Sequence, residues 1–328
     1  MHQAWISGTG ASVPERVMTN FDLAKLVDTS DEWIVQRTGI SERRVLSDDE
    51  CTSDLATEAG RLALEASGVA PGDIGGVIVG TVTPDTVCPS AAVYVQDRLE
   101  TRNAFAFDLN AACTGFVYGM SIAASMVQSG ACQHILLIGA EGLSRFVNWS
   151  DRTTCILFGD GAGAVVVSRA EDGCTSEIID SQLYSDGAAA DLIQIPAGGA
   201  RRPASVETVE ACDHALTLNG REVFKFATKA MVDLVQTALD RNNLKYADLD
   251  LVVPHQVNYR IIETALKKLD IPDEKIYLNL DRYGNTSAAS VPLALHEASQ
   301  EKRLASGDLA LFVAFGAGMT WGYNLVRW

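Results

Sequence analysis

The chain has 328 residues, 47% apolar and 21% charged, enough for a substantial core and not the composition of a disordered chain. Its formal net charge of −16 disfavours nucleic acid as a partner, and no apolar run reaches the ~18 residues of a membrane-spanning helix. Seven scattered cysteines without a Cys-x-x-Cys pair argue against a disulfide framework or a structural zinc site, and no metal is expected. With no basic region or cleavage pattern near His2-Gln3-Ala4-Trp5, no secretory signal is expected and the reading is cytoplasmic.

In chain order, Trp5 to Ser12 reads as a strand closed by Pro14, and Asn20 to Val27 as a short helix with Asn20 as N-cap. Thr29 to Ile40 packs a cap signal, Trp33 and Arg37 into one helical turn and its exit. Apolar spacing near 3.6 makes Thr52 to Ser67 an amphipathic helix. Ile74 to Thr81 is a buried strand, Ser90 to Leu99 a helix, and Asn103 to Leu109 a strand that meets a helical pattern from Phe116 to Gln128. His134 to Ala140 is apolar throughout, as in the middle of a parallel sheet.

Cys113 falls where that strand ends and that helix begins. Unpaired first-turn N–H groups and the helix dipole would stabilise a thiolate there, and the thiolate is the nucleophile. The competing reading is a small buried hydrophobe. Leu157 to Val167 is glycine-rich like a phosphate loop, but its spacing is not Gly-x-Gly-x-x-Gly and a β-branched strand follows. A tight turn between strands fits it better.

The second half repeats the first. Asp248 to His255 parallels Asp73 to Thr81; Lys275 to Leu280 with Gly284 to Ser290 parallels the strand and small residues around Cys113; Leu309 to Gly318 parallels Ile135 to Gly142. The intervals are close, 40 residues from Asp73 to Cys113 and 37 from Asp248 to Asn285. Two βαβ-rich copies, residues 1–172 and 206–328 joined by a weakly periodic 173–205 segment, suggest duplicated α/β packing in five layers. Cys113, His255 and Asn285 then lie on strand ends that could converge on one pocket. Taken singly, His255 also reads as a structural histidine and Asn285 as a helix cap.

Four motifs carry a resemblance: Ala111-Ala112-Cys113-Thr114-Gly115-Phe116, Pro254-His255-Gln256-Val257-Asn258, Gly284-Asn285-Thr286-Ser287-Ala288-Ala289-Ser290, and Phe315-Gly316-Ala317-Gly318-Met319-Thr320-Trp321-Gly322. Together, and over essentially the whole chain, the sequence resembles the β-ketoacyl-(acyl carrier protein) synthase III family of the thiolase superfamily. The resemblance implies a thiolase fold with α-β-α-β-α layers and a homodimer. It also implies decarboxylative condensation of an acyl-CoA primer with malonyl-acyl carrier protein, with no metal and no bound organic cofactor.

By the same resemblance Cys113 would carry the acyl group, and His255 and Asn285 would hold the enolate oxygen. The N–H groups of Cys113 and Ala317 would form the oxyanion hole, and Phe315 would flank the malonyl carboxylate. Trp33, Arg37 and Arg152 match the positions for the CoA nucleotide, and Gly220 and Phe224 those of the pantetheine tunnel. Arg221 departs from the Asn common in the family. Trp33 also reads as a core residue, and the two arginines as ordinary surface charge.

The helix after His255 carries Arg260, Lys267 and Lys268, a basic face suited to an acidic carrier protein or simply a solvated surface. Cys88 stands before Pro89-Ser90, where acetyl-selective members place a bulky aromatic that caps the partner's acyl pocket. A specialised relative using an amine, alcohol or β-keto acid acceptor would keep the same three residues. A noncatalytic binding subunit would be expected to lose the nucleophile.

Overall fold

The computed structural model describes residues 2–269 and 271–328; Met1, the start of the first half, and Asp270 lie outside the described residues. Nine principal strands form two sheets. The first contains β1 (Ala4–Ser12), β2 (Gly76–Gly80), β3 (Phe105–Leu109), β4 (His134–Glu141) and β5 (Gly161–Arg169), in the order β1-β5-β4-β2-β3. The second contains β6 (Glu177–Ser185), β7 (Leu251–Pro254), β8 (Leu309–Gly316) and β9 (Thr320–Arg327), in the order β7-β8-β9-β6. In the first sheet β3, β2 and β4 run parallel, then β5 and β1 alternate. In the second, β7 is parallel to β8 and β9 and β6 alternate. The two sheets thus share one topology.

The principal helices are α1 (Asp31–Thr38), α2 (Thr52–Ser67), α3 (Ala91–Arg98), α4 (Gly115–Gln128), α5 (Gly220–Asn242), α6 (Tyr259–Leu269) and α7 (Ser290–Gln300). Side chains alternate across a strand, so Ile78 faces one side of the first sheet while Val77 and Val79 face the other. Ile78, Ile135 and Val165 pack with Phe116 and Met120 of α4, Val291 and Leu295 of α7, and Leu251 and Phe312 of the second sheet. Val77, Val79 and Leu136 pack instead against α2 and α3. Val252, Leu311 and Val313 pack against α5 and α6. Three apolar clusters hold together five layers of structure, α-β-α-β-α, with α4 and α7 in the middle. Each buried Leu or Ile contributes about 1.5–3 kcal/mol, so both faces of each sheet are firmly held.

Three expectations change in detail. Lys275 to Leu280 keeps only an isolated parallel bridge, Val252 to Ile276, at the place where the first sheet has β3. The 173–205 segment supplies β6, an edge strand with eight register pairs to β9. The short N-terminal helix spans Asn20–Leu23 with Thr19, not Asn20, as N-cap, and the buried Asn20 amide reaches the Ile40 carbonyl. The glycine-rich stretch leads into β5 as its β-branched residues require.

The repeat also sets a different equivalence. One-turn 3-10 helices, Ala112–Thr114 and Ser287–Ala289, precede α4 and α7, and both open on a residue in left-handed conformation, Ala112 at φ 49° and Ser287 at φ 48°. Cys113 therefore corresponds to Ala288, each 40 residues after Asp73 or Asp248, and Asn285 corresponds to Asn110.

Candidate active site

The ends of β7 and β8 and the two 3-10 turns close around a cavity of about 530 Å³. Cys113, His255, Asn285, Phe315, Ala317, Gly220 and Phe224 all line it. Trp33, Arg37, Arg152, Cys88, Arg260, Lys267 and Lys268 lie outside this lining.

Cys113 is presented by the strained Ala112 turn just before α4. The Gly316 segment presses against it so closely that a side chain at Gly316 would come within 2.8 Å of the Cys113 nitrogen. Only glycine lets β8 end there. The thiol opens onto the cavity but is desolvated by its surroundings, which pushes it up to about 12 despite the opposing effect of the neighbouring Ser287 hydroxyl. The sequence had pointed to a stabilised thiolate; here burial outweighs the helix end, and the resting group is the thiol.

His255 closes β7 and is buried, its backbone N–H donating to the Val313 carbonyl at 2.8 Å. Its Nδ1 lies 2.7 Å from Ser290 Oγ, while Nε2 is buried with no partner among the described residues. Burial lowers the ring to about 3, so the imidazole is neutral. Phe315 meets it edge-on, ring centroids 5.6 Å apart, and supplies a nonpolar wall.

Asn285 is held at both ends of its backbone, donating to Leu157 O at 2.8 Å and accepting from Gly159 N at 3.1 Å. The glycine-rich stretch therefore braces the site, a role no local signal indicated. Asn285 Oδ1 accepts from Ser287 N at 2.9 Å, which sets the amide so that Nδ2 remains as a donor for the cavity. A nucleophile and two neutral donors thus face one apolar chamber.

Trp33 lies half-buried in α1 with two guanidinium groups against its ring, Arg37 at 4.5 Å and Arg152 at 4.9 Å from the centroid. That is an aromatic face flanked by guanidinium groups, the kind of cation that pairs with phosphate. Arg260, Lys267 and Lys268 are exposed on α6, and Lys267 pairs with Glu263 at 2.9 Å. Arg221 is exposed in the first turn of α5, and Cys88 is exposed after Val87, itself 96% exposed.

Sequence reasoning missed two polar groups. Arg43 is fully buried, donating to the Ile156 carbonyl at 2.8 Å and to Asn20 Oδ1 at 2.9 Å, and burial lowers it to about 10. Glu141 ends β4 inside the core; a charged residue closing an otherwise apolar strand was the one available signal.

Family models of the 3-oxoacyl-[acyl-carrier-protein] synthase III C-terminal region and of 3-oxoacyl-[acyl-carrier-protein] synthase III match residues 239–328 and 107–187. The chain is 51% identical over 325 residues to the β-ketoacyl-[acyl-carrier-protein] synthase III of Caldanaerobacter subterraneus subsp. tengcongensis, covering 99% of this chain and 98% of that one. It is 48% identical to the enzyme of that name from Natranaerobius thermophilus over the full length of both. The crystal structure of 3-oxoacyl-[acyl-carrier-protein] synthase III from Aquifex aeolicus VF5 superposes with a TM-score of 0.91 at 44% identity, covering 99% of this chain and 100% of that one. With a duplicated five-layer fold, a cysteine, histidine and asparagine on its cavity, and relatives this close over their whole length, the chain belongs to the β-ketoacyl-[acyl-carrier-protein] synthase III family of the thiolase superfamily.

Proposed function

We propose that the protein condenses an acyl-CoA primer with malonyl-acyl carrier protein, the step that initiates fatty acid synthesis. Cys113 takes the acyl group from acyl-CoA as a thioester. The malonyl thioester then loses CO2, and the enolate left behind attacks the acyl-Cys113 carbonyl. His255 Nε2–H and Asn285 Nδ2–H donate to the enolate oxygen, and the N–H groups of Cys113 and Ala317 hold the tetrahedral oxyanion. Fixed donors of this kind are each worth about 2.7–4 kcal/mol. Phe315 disfavours the malonyl carboxylate in the ground state and so assists its loss.

The observation that carries this reading is the buried, unpartnered Nε2 of a neutral His255 on the same cavity as Cys113 and Asn285. Trp33, Arg37 and Arg152 bind the CoA nucleotide, and Gly220 and Phe224 line the path of the pantetheine. The exposed Arg260, Lys267 and Lys268 receive the acidic carrier. Exposed Phe105 on the edge strand β3, with exposed Val87 and Cys88, suits a second copy, giving a homodimer. All seven cysteines are free, consistent with a reducing, cytoplasmic setting. No metal or organic cofactor enters these steps, acyl-CoA being substrate.

Intact-mass spectra test the assignment. Acyl-CoA should add one acyl group to wild type, to His255→Ala and to Asn285→Ala, and none to Cys113→Ala. The histidine and asparagine variants should then fail to decarboxylate malonyl-acyl carrier protein. Normal acylation of Cys113→Ala would overturn it.

A further inference from the structure

The mechanism so far leaves the thiol proton of Cys113 without a destination. His255 is neutral and committed to the enolate, and Cys113 rests as a thiol. Near enough to act on the cysteine, but outside the cavity lining, lies a carboxylate that the steps above do not use.

Glu141, the last residue of β4, is completely buried. Thr83 Oγ1 donates to it at 2.6 Å, Thr81 Oγ1 at 3.2 Å and Val82 N at 3.1 Å. The Ser287 hydroxyl lies beside it and beside the Cys113 thiol, and its single hydrogen can serve only one of them at a time. The fold enforces this placement. Gly139 lets the Ser287 turn sit directly on β4, since a side chain there would come within 2.2 Å of the Ala288 carbonyl oxygen. The groups around Glu141 come from the loop after β2 (Thr81, Val82, Thr83), the turn before α7 (Ser287) and the turn before α4 (Cys113). No ion pair joins the carboxylate to a cation among the described residues. A buried carboxylate without a counter-ion is costly, and hydroxyl donors offset only part of that cost.

We propose that Ser287 and Glu141 form a proton store for Cys113. As the sulfur attacks the acyl-CoA carbonyl, the S–H bond breaks. The proton passes to Ser287 Oγ while the Ser287 hydrogen passes to the Glu141 carboxylate. The C–S bond to CoA then breaks, and CoA leaves as a thiolate that takes its proton from water. When the enolate later displaces Cys113, the sulfur leaves as a thiolate and recovers its proton from Glu141 through Ser287. The turnover consumes one solvent proton, the one on CoA, and the store returns to its starting state. Burial raises Glu141 to about 7, where a carboxyl can both accept and return a proton near neutrality.

This inference rests on Cys113 being the acyl carrier, and its test separates the two. Acylation by acyl-CoA is followed in single turnovers by rapid quench and intact mass, from pH 5.5 to 9, for wild type, Glu141→Gln and Ser287→Ala. Ser287→Ala is expected to fold, because Ala112 already holds the same backbone conformation in the equivalent turn. Wild-type acylation should rise through an inflection near pH 7. In both variants the inflection should move up by at least one pH unit and the rate at pH 7 fall about tenfold, with KM for acyl-CoA unchanged. A pH profile of Ser287→Ala identical to wild type would overturn the proton store while leaving the Cys113 assignment intact, and acylation of Cys113→Ala would remove both.

Discussion

Ser290 Oγ lies 2.7 Å from His255 Nδ1, and this contact decides which ring nitrogen faces the cavity. The Ser290 hydroxyl makes no other side-chain hydrogen bond among the described residues, so its hydrogen goes to Nδ1 and the ring proton sits on Nε2. The neutral ring then points a donor at the enolate site. Ser290→Ala is expected to lower malonyl decarboxylation about tenfold while acylation of Cys113 stays at the wild-type rate. Equal loss in both half-reactions, measured by intact mass and CO2 release, would show that Ser290 only supports the fold.

Arg260→Glu and Lys268→Glu are expected to raise the KM for malonyl-acyl carrier protein several-fold and to flatten its salt dependence. Acylation by acyl-CoA should not change, because the CoA site proposed above is at Trp33 and not on α6. Lys267 is the weaker choice for the experiment, since Glu263 already balances its charge. If both half-reactions weaken together, α6 is not the carrier's docking face.

Cys88 is exposed and does not line the cavity of its own chain, so an effect on primer length would act across the proposed dimer. A small side chain there leaves depth for a longer tail, and each buried CH2 contributes about 0.8 kcal/mol. Octanoyl-CoA is therefore expected to exceed acetyl-CoA in kcat/KM, with Cys88→Phe reversing the order. An acetyl preference in the wild type rules this out.

Glu141 also makes stability depend on pH. Its carboxyl is raised from 4.5 to about 7 by burial, so the folded state binds that proton more tightly than the unfolded chain. The contribution is complete below about pH 4.5 and is lost as pH rises through about 7, a change of about 3 kcal/mol. His255, lowered from 6.5 to about 3, acts in the opposite sense and loses its contribution as pH falls. Comparing melting temperatures isolates Glu141: the difference between Glu141→Gln and wild type should move in the variant's favour from pH 4.5 to 7.5. A difference that stays constant over that range contradicts the assignment.

Much of this protein could be read from local pattern. The α2 helix falls on the residues its 3.6 spacing marked, and β4 on the apolar run that named it. The duplication was visible because both copies repeat the same order of strand, small-residue turn and helix. That Cys113, His255 and Asn285 meet at one cavity was legible for the same reason, since each sits at a strand end or turn with its own sequence signature. What the residues next to Cys113 could not reveal was its environment. A helix end two residues away argues for a thiolate; the atoms that bury the sulfur come from segments as distant as the turn before α7 and Gly316. The tautomer of His255, the uncompensated burial of Glu141 and the guanidinium groups on Trp33 were likewise decided only in the folded chain. Hydrophobic period and capping act over a few residues and are written along the sequence, whereas desolvation and hydrogen-bond direction depend on atoms that meet only when the two halves pack together.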